Sequence, residues 1–204
     1  MKKLSVIGTG GHAKVVIATA RAAGYSVVAA YDDNEVRHGG VVLGVPILGS
    51  AELASTAGLP TVIAIGANRA RQMIAQLACD WLTVVHPAAV VHESVSIGRG
   101  SVVFAGTVVQ PDSVLGNHVI LNTGSSVDHD CRLGDWVHLG PGARLCGGVE
   151  IGRGTLVGVG ASVIPSTRLG DWCTVGAGAA VARSFPDESL LLGVPARRSN
   201  YDKE

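Results

Sequence analysis

One histidine of this chain, His129, has neighbours that could support acid–base chemistry. It lies in the segment DHDC at 128–131, and eighteen residues later the chain has Gly147 in the segment CGG. A neutral imidazole can take a proton from an attacking nucleophile, and a free backbone N–H can stabilise a developing oxyanion. These are the two requirements of acyl transfer, provided that the fold brings position 129 next to position 147.

A six-residue repeat predicts such a fold. From Ile97 to Val181 every sixth residue is Ile, Val or Leu, and the residue four positions after each is small or β-branched. A fixed short period is typical of a solenoid, in which each repeat buries its apolar side only against the next. The aliphatic positions are Ile97, Val103, Val109, Leu115, Leu121, Val127, Leu133, Leu139, Leu145, Ile151, Val157, Val163, Leu169, Val175 and Val181.

A period of six indicates the hexapeptide parallel β-helix, with three six-residue faces per coil. Residues eighteen apart then stack on neighbouring coils about 4.8 Å apart. His129 would therefore lie on the outer surface above Gly147, which leaves an open notch beside a backbone N–H. His138 lies one and a half faces further round the coil, so the two histidines meet only if prisms associate around a threefold axis. His118 is expected to stack on Trp136 in a structural role.

The first part of the chain has a different pattern. A short strand over 4–7 ends at a glycine-rich loop, Gly8 to His12, and a helix is predicted from 13 to 23 with Gly24 as its C-cap. The spacing G-x-G-x-x-A in a strand–loop–helix context predicts phosphate binding by backbone N–H groups. His12 is expected to contact the phosphate or the sugar of the same ligand.

The next predicted strand, 25–31, ends in Asp32 and Asp33, whose carboxylates could accept hydrogen bonds from ribose hydroxyls or a base. Helices over 51–57 and 69–79 alternate with strands over 61–65 and 81–85, which predicts a small parallel sheet. A dinucleotide fold uses two such halves, and this sheet is one half long. The sequence therefore favours one nucleoside diphosphate over NAD.

The predicted fold class is thus an α/β Rossmann-like half domain followed by a parallel β-helix of hexapeptide repeats. The expected domains are 1–86, which binds a nucleotide sugar, 87–185, the β-helix, and 186–204, a C-terminal tail with a closing turn at 193–197.

Composition excludes several classes of function. Sixteen basic residues balance sixteen acidic ones, so nothing favours nucleic acid or an acidic membrane surface. The N-terminal apolar run is too short for a signal peptide or a membrane span. The four cysteines lack C-x-x-C spacing, and Cys131 and Cys173 fall at inward small-residue positions, so we expect reduced thiols and a cytoplasmic protein. No His, Cys and carboxylate cluster has metal-ligand spacing, so no metal is expected.

Taken in order, several motifs resemble a known family. They are GTGGHAK at 8–14, the pair Asp32–Asp33, IAIGAN at 63–68, HPAAVV at 86–91, DHDC at 128–131 and GVPARR at 193–198. The chain is similar to bacterial sugar O- and N-acetyltransferases of the left-handed β-helix class that carry a small N-terminal nucleotide-binding domain. The likeness is strongest to enzymes that acetylate the 4-amino group of a nucleotide-activated amino sugar, of the bacillosamine and perosamine type.

The resemblance implies a left-handed coil, acetyl-CoA as cosubstrate, and a homotrimer with active sites between subunits. It places the catalytic base on His129 and the acidic residue that strengthens it on Asp130, with Asp128 as an alternative because successive strand residues face opposite sides. The implied acetyl-CoA contacts are His138, Gly147, Val159 and Ala177. The implied nucleotide-sugar contacts are Gly10, Gly11, His12, Asp32, Asp33, Gly66 and Arg69.

Two other functions remain open at this stage. O-acetylation of a sugar such as sialic acid needs the same base and oxyanion donor but makes weaker demands on the N-terminal pocket. A non-catalytic β-helix scaffold needs neither and would not bind acetyl-CoA. The sequence identifies no contact to the base, so UDP, GDP and other nucleotides are equally compatible.

Overall fold

The computed structural model describes residues 1–199, and the part of the predicted tail at 200–204 lies outside them. The chain begins with a five-stranded sheet in the order β3-β4-β2-β1-β5. Its elements are β1 (Lys2–Ile7), α1 (Gly11–Ala22), β2 (Tyr25–Tyr31), a 3₁₀ helix (Glu35–Arg37), β3 (Val41–Val42), β4 (Val45–Gly49), a second 3₁₀ helix (Ala51–Thr56), β5 (Thr61–Ile63) and α2 (Asn68–Ile74).

Four strands of this sheet are parallel, as the sequence predicts, but the fifth is not. β3 pairs with β4 in an antiparallel hairpin, which the sequence analysis did not predict. Leu43 and Gly44 both have positive φ, 49° and 77°, which is the conformation that a two-residue hairpin turn requires. The predicted sheet was therefore wrong at this edge, because β3 has only two residues and gives almost no periodic signal.

The predicted strand over 81–85 does not extend the N-terminal sheet. Trp81 makes one isolated bridge to Thr61, whereas Val84–Val85 (β6) pairs with Val102–Val103 of the β-helix. The predicted helix over 69–79 is also shorter, since α2 ends at Ile74. An apolar run therefore indicates burial correctly, but it identifies neither the sheet that a strand joins nor the residue at which a helix ends.

Residues 84–198 form a left-handed parallel β-helix of three sheets, in which only the last strand, Arg197–Arg198, pairs antiparallel. The first consists of β6 (Val84–Val85), β9 (Val102–Val103), β12 (Ile120–Leu121), β15 (His138–Leu139), β18 (Leu156–Val157), β21 (Thr174–Val175), β23 (Leu190–Leu192) and β24 (Arg197–Arg198). The second consists of β7 (Val90–Val91), β10 (Val108–Val109), β13 (Ser126–Val127), β16 (Arg144–Leu145), β19 (Ser162–Val163) and β22 (Ala180–Val181). The third consists of β8 (Ser96–Ile97), β11 (Val114–Leu115), β14 (Arg132–Leu133), β17 (Glu150–Ile151) and β20 (Arg168–Leu169).

The six-residue repeat builds the core of this coil. Each predicted inward aliphatic from Val103 to Val181 is at most 4 % exposed, and Ile97 packs against the same cluster at its open end. Strand pairs are eighteen residues apart, as in Ser126 with Arg144, so the predicted stacking of neighbouring coils is confirmed. Cys131 and Cys173 are buried at the predicted inward positions.

The N-terminal elements cover the first sheet, which we call the covered sheet. The outward side chains of Val102 and Ile120 are buried in one apolar cluster with Val16 and Ile17 of α1. Phe104, which follows β9, belongs to the same cluster. This packing places the glycine-rich loop and the start of α2 against the covered sheet. Within residues 1–199, no helix has the length and apolar character needed to cross a bilayer.

Candidate functional site

His129 lies at the corner of the β-helix between β13 and β14, where both neighbouring acids bind it. Its Nδ1 is 2.8 Å from Oδ2 of Asp130, and its backbone N–H donates to Oδ1 of Asp128 at 2.8 Å. The Asp130 backbone has a φ of 60°, in the left-handed region, and this turn brings its carboxylate to the His129 side. An extended backbone would have placed the two side chains on opposite faces.

These contacts define the state of the His129 ring. A carboxylate only accepts, so in the neutral ring Nδ1 carries the hydrogen and Nε2 keeps its lone pair. The hydrogen bond that His129 donates to Asp130, followed by the charge of Asp128, raises the pKa of His129 above its usual 6.5. The side chain is 61 % exposed in the single chain.

Gly147 lies directly under the His129 ring on the next coil. A Cβ atom on Gly147 would be 2.6 Å from both Cε1 and Nε2 of His129, so only glycine leaves room for the ring in this position. The carbonyl of His129 accepts the N–H of Gly148 at 2.9 Å, which fixes the coil spacing. Among residues 1–199, the N–H of Gly147 has no hydrogen-bond acceptor. The corner therefore has a free imidazole nitrogen next to an unpaired amide.

The other two predicted acetyl-CoA corner residues lie elsewhere. Val159 and Ala177 stack on each other at the corner between the covered sheet and the second sheet, where the carbonyl of Val159 accepts the N–H of Gly178 at 2.8 Å. The second sheet separates this corner from His129. Within one chain, therefore, Gly147 and His129 meet at one corner of the β-helix, and Val159 and Ala177 meet at another.

The glycine-rich loop lines a cavity of about 390 Å³ together with Asp32, Asp33 and Gly66. Asp32 accepts the N–H and the hydroxyl of Thr9 and the N–H of Asn34, so its carboxylate holds the loop in shape. Burial acts against the charged form of Asp32, but these hydrogen bonds outweigh it and lower its pKa.

Asp33 and Arg37 complete the outer wall of this cavity. Asp33 accepts the N–H of Ala51 at 2.9 Å through one oxygen. Arg37, from the first 3₁₀ helix, donates to the carbonyl of Thr9 at 2.8 Å. Arg37 was not predicted from the sequence, because nothing in its local pattern distinguishes it from a solvated surface arginine.

His12 lies at the inner end of the cavity. Its ring centroid is 5.5 Å from that of Phe104 and 6.0 Å from that of His138. Burial, followed by the charge of Arg71, lowers the pKa of His12 to about 4. Its Nε2 is buried and has no partner among residues 1–199.

His138 projects from the covered sheet towards the N-terminal elements. Its Nδ1 is 3.1 Å from the carbonyl oxygen of Gly66, and its Nε2 is 3.2 Å from Nδ2 of Asn122. Burial, followed by the charge of Arg71, lowers the pKa of His138 to about 4. The predicted residues Gly66, His12 and His138 are therefore brought together, whereas His129 is not among them.

A second cavity, of about 410 Å³, opens on the other side of Gly66. His138 and Leu156 form its floor, and Arg69 and Trp172 form its outer side. The Arg69 guanidinium is 4.2 Å from the centroid of the Trp172 ring, a cation–π contact. Trp172 was missed because it occupies a corner position that the repeat pattern leaves unrestricted.

The two parts of the candidate site lie on opposite sides of one prism. The covered sheet carries His138 and both cavities, whereas the corner of His129 joins the second and third sheets. Each six-residue face is at most about 20 Å wide. The body of the β-helix therefore lies between His129 and a substrate bound in either cavity of the same chain.

Comparison with known proteins places these features in a family. Residues 3–78 match the PglD N-terminal domain, and residues 88–111 and 148–183 match the hexapeptide repeat of succinyl-transferase. UDP-N-acetylbacillosamine N-acetyltransferase of Bacillus subtilis is 38 % identical over 113 residues, which are 52 % of this chain and 52 % of that protein. The matched part is thus about half of that relative's length.

Two solved structures match almost the whole chain. Perosamine N-acetyltransferase from Caulobacter crescentus, a histidine-to-asparagine variant in complex with CoA and GDP-perosamine, is 42 % identical with a TM-score of 0.92 and 98 % coverage of both chains. The acetyltransferase domain of PglB from Neisseria gonorrhoeae, in complex with acetyl coenzyme A, is 39 % identical with a TM-score of 0.91, covering 97 % of this chain and 99 % of that one.

The fold defines a hexapeptide-repeat β-helix protein with an N-terminal α/β sheet. More narrowly, the chain belongs to the bacterial sugar acetyltransferase family that carries the PglD N-terminal domain.

Proposed function

We propose that this protein transfers the acetyl group of acetyl-CoA to the 4-amino group of a nucleotide-diphosphate amino sugar. The observation that carries the proposal is the corner of His129, where Nε2 is free, Nδ1 is held by Asp130, and the amide of Gly147 is unpaired. The relatives that support it are N-acetyltransferases by name, and one is bound to CoA and GDP-perosamine.

In this mechanism His129 acts as a general base. The amine nitrogen attacks the thioester carbonyl carbon, and Nε2 of His129 takes a proton from that nitrogen. The carbonyl oxygen becomes an oxyanion, which the N–H of Gly147 stabilises. The carbon–sulfur bond then breaks, the amide forms, and the proton on His129 leaves with the thiolate as coenzyme A thiol. The charge of Asp130 stabilises the imidazolium between these two steps.

The proposed nucleotide site is the cavity of the glycine-rich loop, in a Rossmann-like half domain over 1–86. The N–H groups of Gly10 and Gly11 at the start of α1 suit the diphosphate. One oxygen of Asp33 is used by Ala51, which leaves the other for a ribose hydroxyl or the base. Arg69 and Gly66 line the second cavity, through which the sugar would extend from the nucleotide.

We further propose that the active protein is a homotrimer whose sites lie between subunits. The support is geometric, because one prism separates His129 from the cavities on its own covered sheet. A neighbouring copy around a threefold axis would bring its His129 to this chain's His138. Val159 and Ala177 would then join Gly147 of the neighbour along one acetyl-CoA channel. In this proposal the β-helix, predicted over 87–185, supplies these residues, and the described residues 186–199 close its end. The cysteines of the described chain form no disulfide, which suits a cytoplasmic location.

The proposed activity is tested by measuring coenzyme A thiol release from acetyl-CoA. The panel comprises UDP-, GDP- and dTDP-4-amino sugars and sialic acid, with the His129→Ala protein as the blank. Turnover on one nucleotide amino sugar is expected. Turnover only on sialic acid would replace N-acetylation by O-acetylation, and failure to bind acetyl-CoA would favour a scaffold.

The shared site is tested by mixing two inactive variants. His129→Ala removes the base, and Gly66→Trp blocks the cavities on the other side of the prism. If each site combines the His129 corner of one chain with the cavities of another, a mixed trimer contains some sites in which both parts are intact. Subunit exchange then restores activity in that fraction of the sites. No recovery in mixtures whose exchange is verified by mass spectrometry would contradict the shared site.

A further inference from the structure

Arg71, on α2, is the largest fully buried side chain of the described protein, with 0 % exposure. It lies where the N-terminal elements meet the β-helix, and no carboxylate within residues 1–199 pairs with it. Burial lowers its pKa to about 9, which leaves the group cationic at neutral pH. A buried cation without a counter-ion is costly, so its hydrogen bonds must compensate.

All five N–H groups of the guanidinium have an acceptor. Nε donates to the carbonyl of His118 at 2.9 Å, and one Nη2 hydrogen donates to that of Trp136 at 2.6 Å. The Nη1 hydrogens donate to the carbonyls of Ile65 and Gly66 at 3.2 and 3.1 Å. The remaining Nη2 hydrogen donates to Oδ1 of Asn68 at 3.1 Å. A guanidinium has five donors, so its capacity is full.

These acceptors belong to two separate parts of the chain. Ile65 and Gly66 lie in the loop between β5 and α2, and Asn68 is the first residue of α2. His118 and Trp136 occupy equivalent corner positions on neighbouring coils of the β-helix. The predicted stacking of the His118 ring on Trp136 is not what the structure shows, since this ring packs edge-on against Trp81, with centroids 5.1 Å apart. Arg71 therefore holds the loop against the β-helix at one point. Asn68 strengthens the same junction by donating to the carbonyl of Gly154 at 2.9 Å.

The Gly66 carbonyl then determines which nitrogen of His138 carries hydrogen. A carbonyl oxygen has two acceptor positions, and here one faces Arg71 and the other faces Nδ1 of His138. Nδ1 must therefore be the protonated nitrogen of the neutral ring, and Nε2 must accept. Asn122 meets this requirement with its Nδ2, while its Oδ1 accepts the N–H of Thr123 at 2.9 Å.

We propose that Arg71 is a positioning residue that fixes, through the Gly66 carbonyl, the Nδ1–H tautomer of His138 and the matching amide orientation of Asn122. The second Nδ2 hydrogen of Asn122 has no acceptor within residues 1–199. The catalytic consequence rests on the proposed function, because it requires that His138 and Gly66 line the acceptor site.

The test compares Arg71→Lys with Arg71→Met in the full-length protein. Lysine keeps the charge but has three donors, so at least two of the five acceptors lose their partner. Arg21→Lys is the matched control, since Arg21 lies on α1 and makes one exposed hydrogen bond, to the carbonyl of Leu43. Arg71→Met reports on the loss of both charge and donors, and the lysine variant is sufficient if the methionine protein does not fold.

The first readout is the ¹⁵N spectrum of the histidine rings, with His138 assigned through a His138→Gln protein. The wild type and Arg21→Lys are expected to show His138 as the Nδ1–H tautomer, and Arg71→Lys a mixture of tautomers. A merely structural arginine would change thermal stability without changing this signal. An Nε2–H ring in the wild type, or an unchanged ring in Arg71→Lys, would overturn the proposal.

The second readout is the separation of kcat from KM. Arg71→Lys is expected to lose roughly 10- to 100-fold in kcat, on the scale of a misplaced site group, with a smaller change in the KM for acetyl-CoA. Unchanged kcat in folded Arg71→Lys would also overturn the positioning role. If the wild type transfers no acetyl group, the proposed function fails, yet the ring spectrum still decides the structural proposal.

Discussion

Two groups of histidines in this molecule have opposite properties. His129 lies on an exposed corner between two acids, and its pKa is raised. His12 and His138 lie at the buried junction beside Arg71, and their pKa values fall to about 4, as does that of His118. The residue type is the same, so the surroundings alone separate the raised pKa of His129 from the lowered pKa values of the other rings.

The difference indicates what each group can do near neutral pH. His129 gains basicity from Asp130 and remains accessible to a neighbouring chain or substrate. His12 and His138 stay neutral and do not take up protons, and His138 serves as a fixed hydrogen-bonding group. Proton transfer is therefore expected at the exposed corner of His129, whereas the junction beside Arg71 holds groups in position.

Removing the exposed histidine should have the largest effect. His129→Ala is expected to lower kcat by roughly 10²–10⁴-fold, because it removes the proposed general base. The measurement is coenzyme A thiol release at saturating substrates. His92→Ala is the matched control, since His92 is also an exposed histidine of the β-helix and its ring bonds only to Ser94 in its own turn. Equal activity of the two variants would refute the assignment of His129.

Acid should destabilise the junction and leave the corner intact. His12 and His138 bind protons more weakly in the folded than in the unfolded chain, so their contribution to stability is complete above pH 6.5 and falls as the pH drops towards 4. At pH 5 the expected loss in the free energy of unfolding is on the order of 2 kcal/mol for each ring. Urea unfolding at pH 7.5 and pH 5 measures it.

The matched variants for this experiment are His12→Gln and His92→Gln. His12→Gln should lose less stability than the wild type between the two pH values, because it lacks one of the rings. His92→Gln should lose as much as the wild type. The idea fails if the wild type is equally stable at both pH values.

A methyl group under the His129 ring should have a smaller effect than loss of the ring. Gly147→Ala places a Cβ where Cε1 and Nε2 lie within 2.6 Å, so the ring must move, and kcat is expected to fall by roughly 10- to 100-fold. The His129→Ala/Gly147→Ala double variant tests the cause by a double-mutant cycle. The kcat of the double variant should be no lower than that of His129→Ala alone. If the two losses in kcat were fully additive, Gly147 would act independently of His129.

Neutralising Asp130 should have the smallest effect and should change the pH profile. Asp130→Asn removes the partner that raises the pKa of His129, so the acid limb of kcat/KM should shift to lower pH. The maximal rate should fall by about tenfold, because the imidazolium loses an exposed, charge-assisted hydrogen bond. Asp112→Asn is the control, since Asp112 occupies the same corner position one coil earlier with the same positive φ. An unshifted acid limb in Asp130→Asn would contradict this role.

The sequence predicted the β-helix well because its signal is repeated. Each inward position has many equivalents, so the period identified the core, the eighteen-residue stacking and the place of Gly147 under His129. It predicted the N-terminal elements less well, since the strands β3 and β4 are short and unrepeated. The strand Val84–Val85 was assigned to the wrong sheet, because an apolar pair does not specify its partner.

The residues of the candidate site also fall into those that the sequence predicted and those that it did not. Residues in motifs, such as the glycine-rich loop and the DHDC segment, were found from the sequence. Arg37 and Trp172 were missed because each acts through neighbours that are distant in the chain. Whether Asp130 could contact His129 was also open, and the left-handed backbone at Asp130 decided it.

The sequence by itself determined the coil, its period and the residue types at each corner, because these depend on local spacing. Only the tertiary structure decided where the N-terminal elements pack and that Arg71 is buried with all of its donors used. It also decided that His138 faces Gly66 while His129 lies on the opposite side of the prism. Such relations depend on the docking of two segments far apart in the chain, which no local pattern encodes.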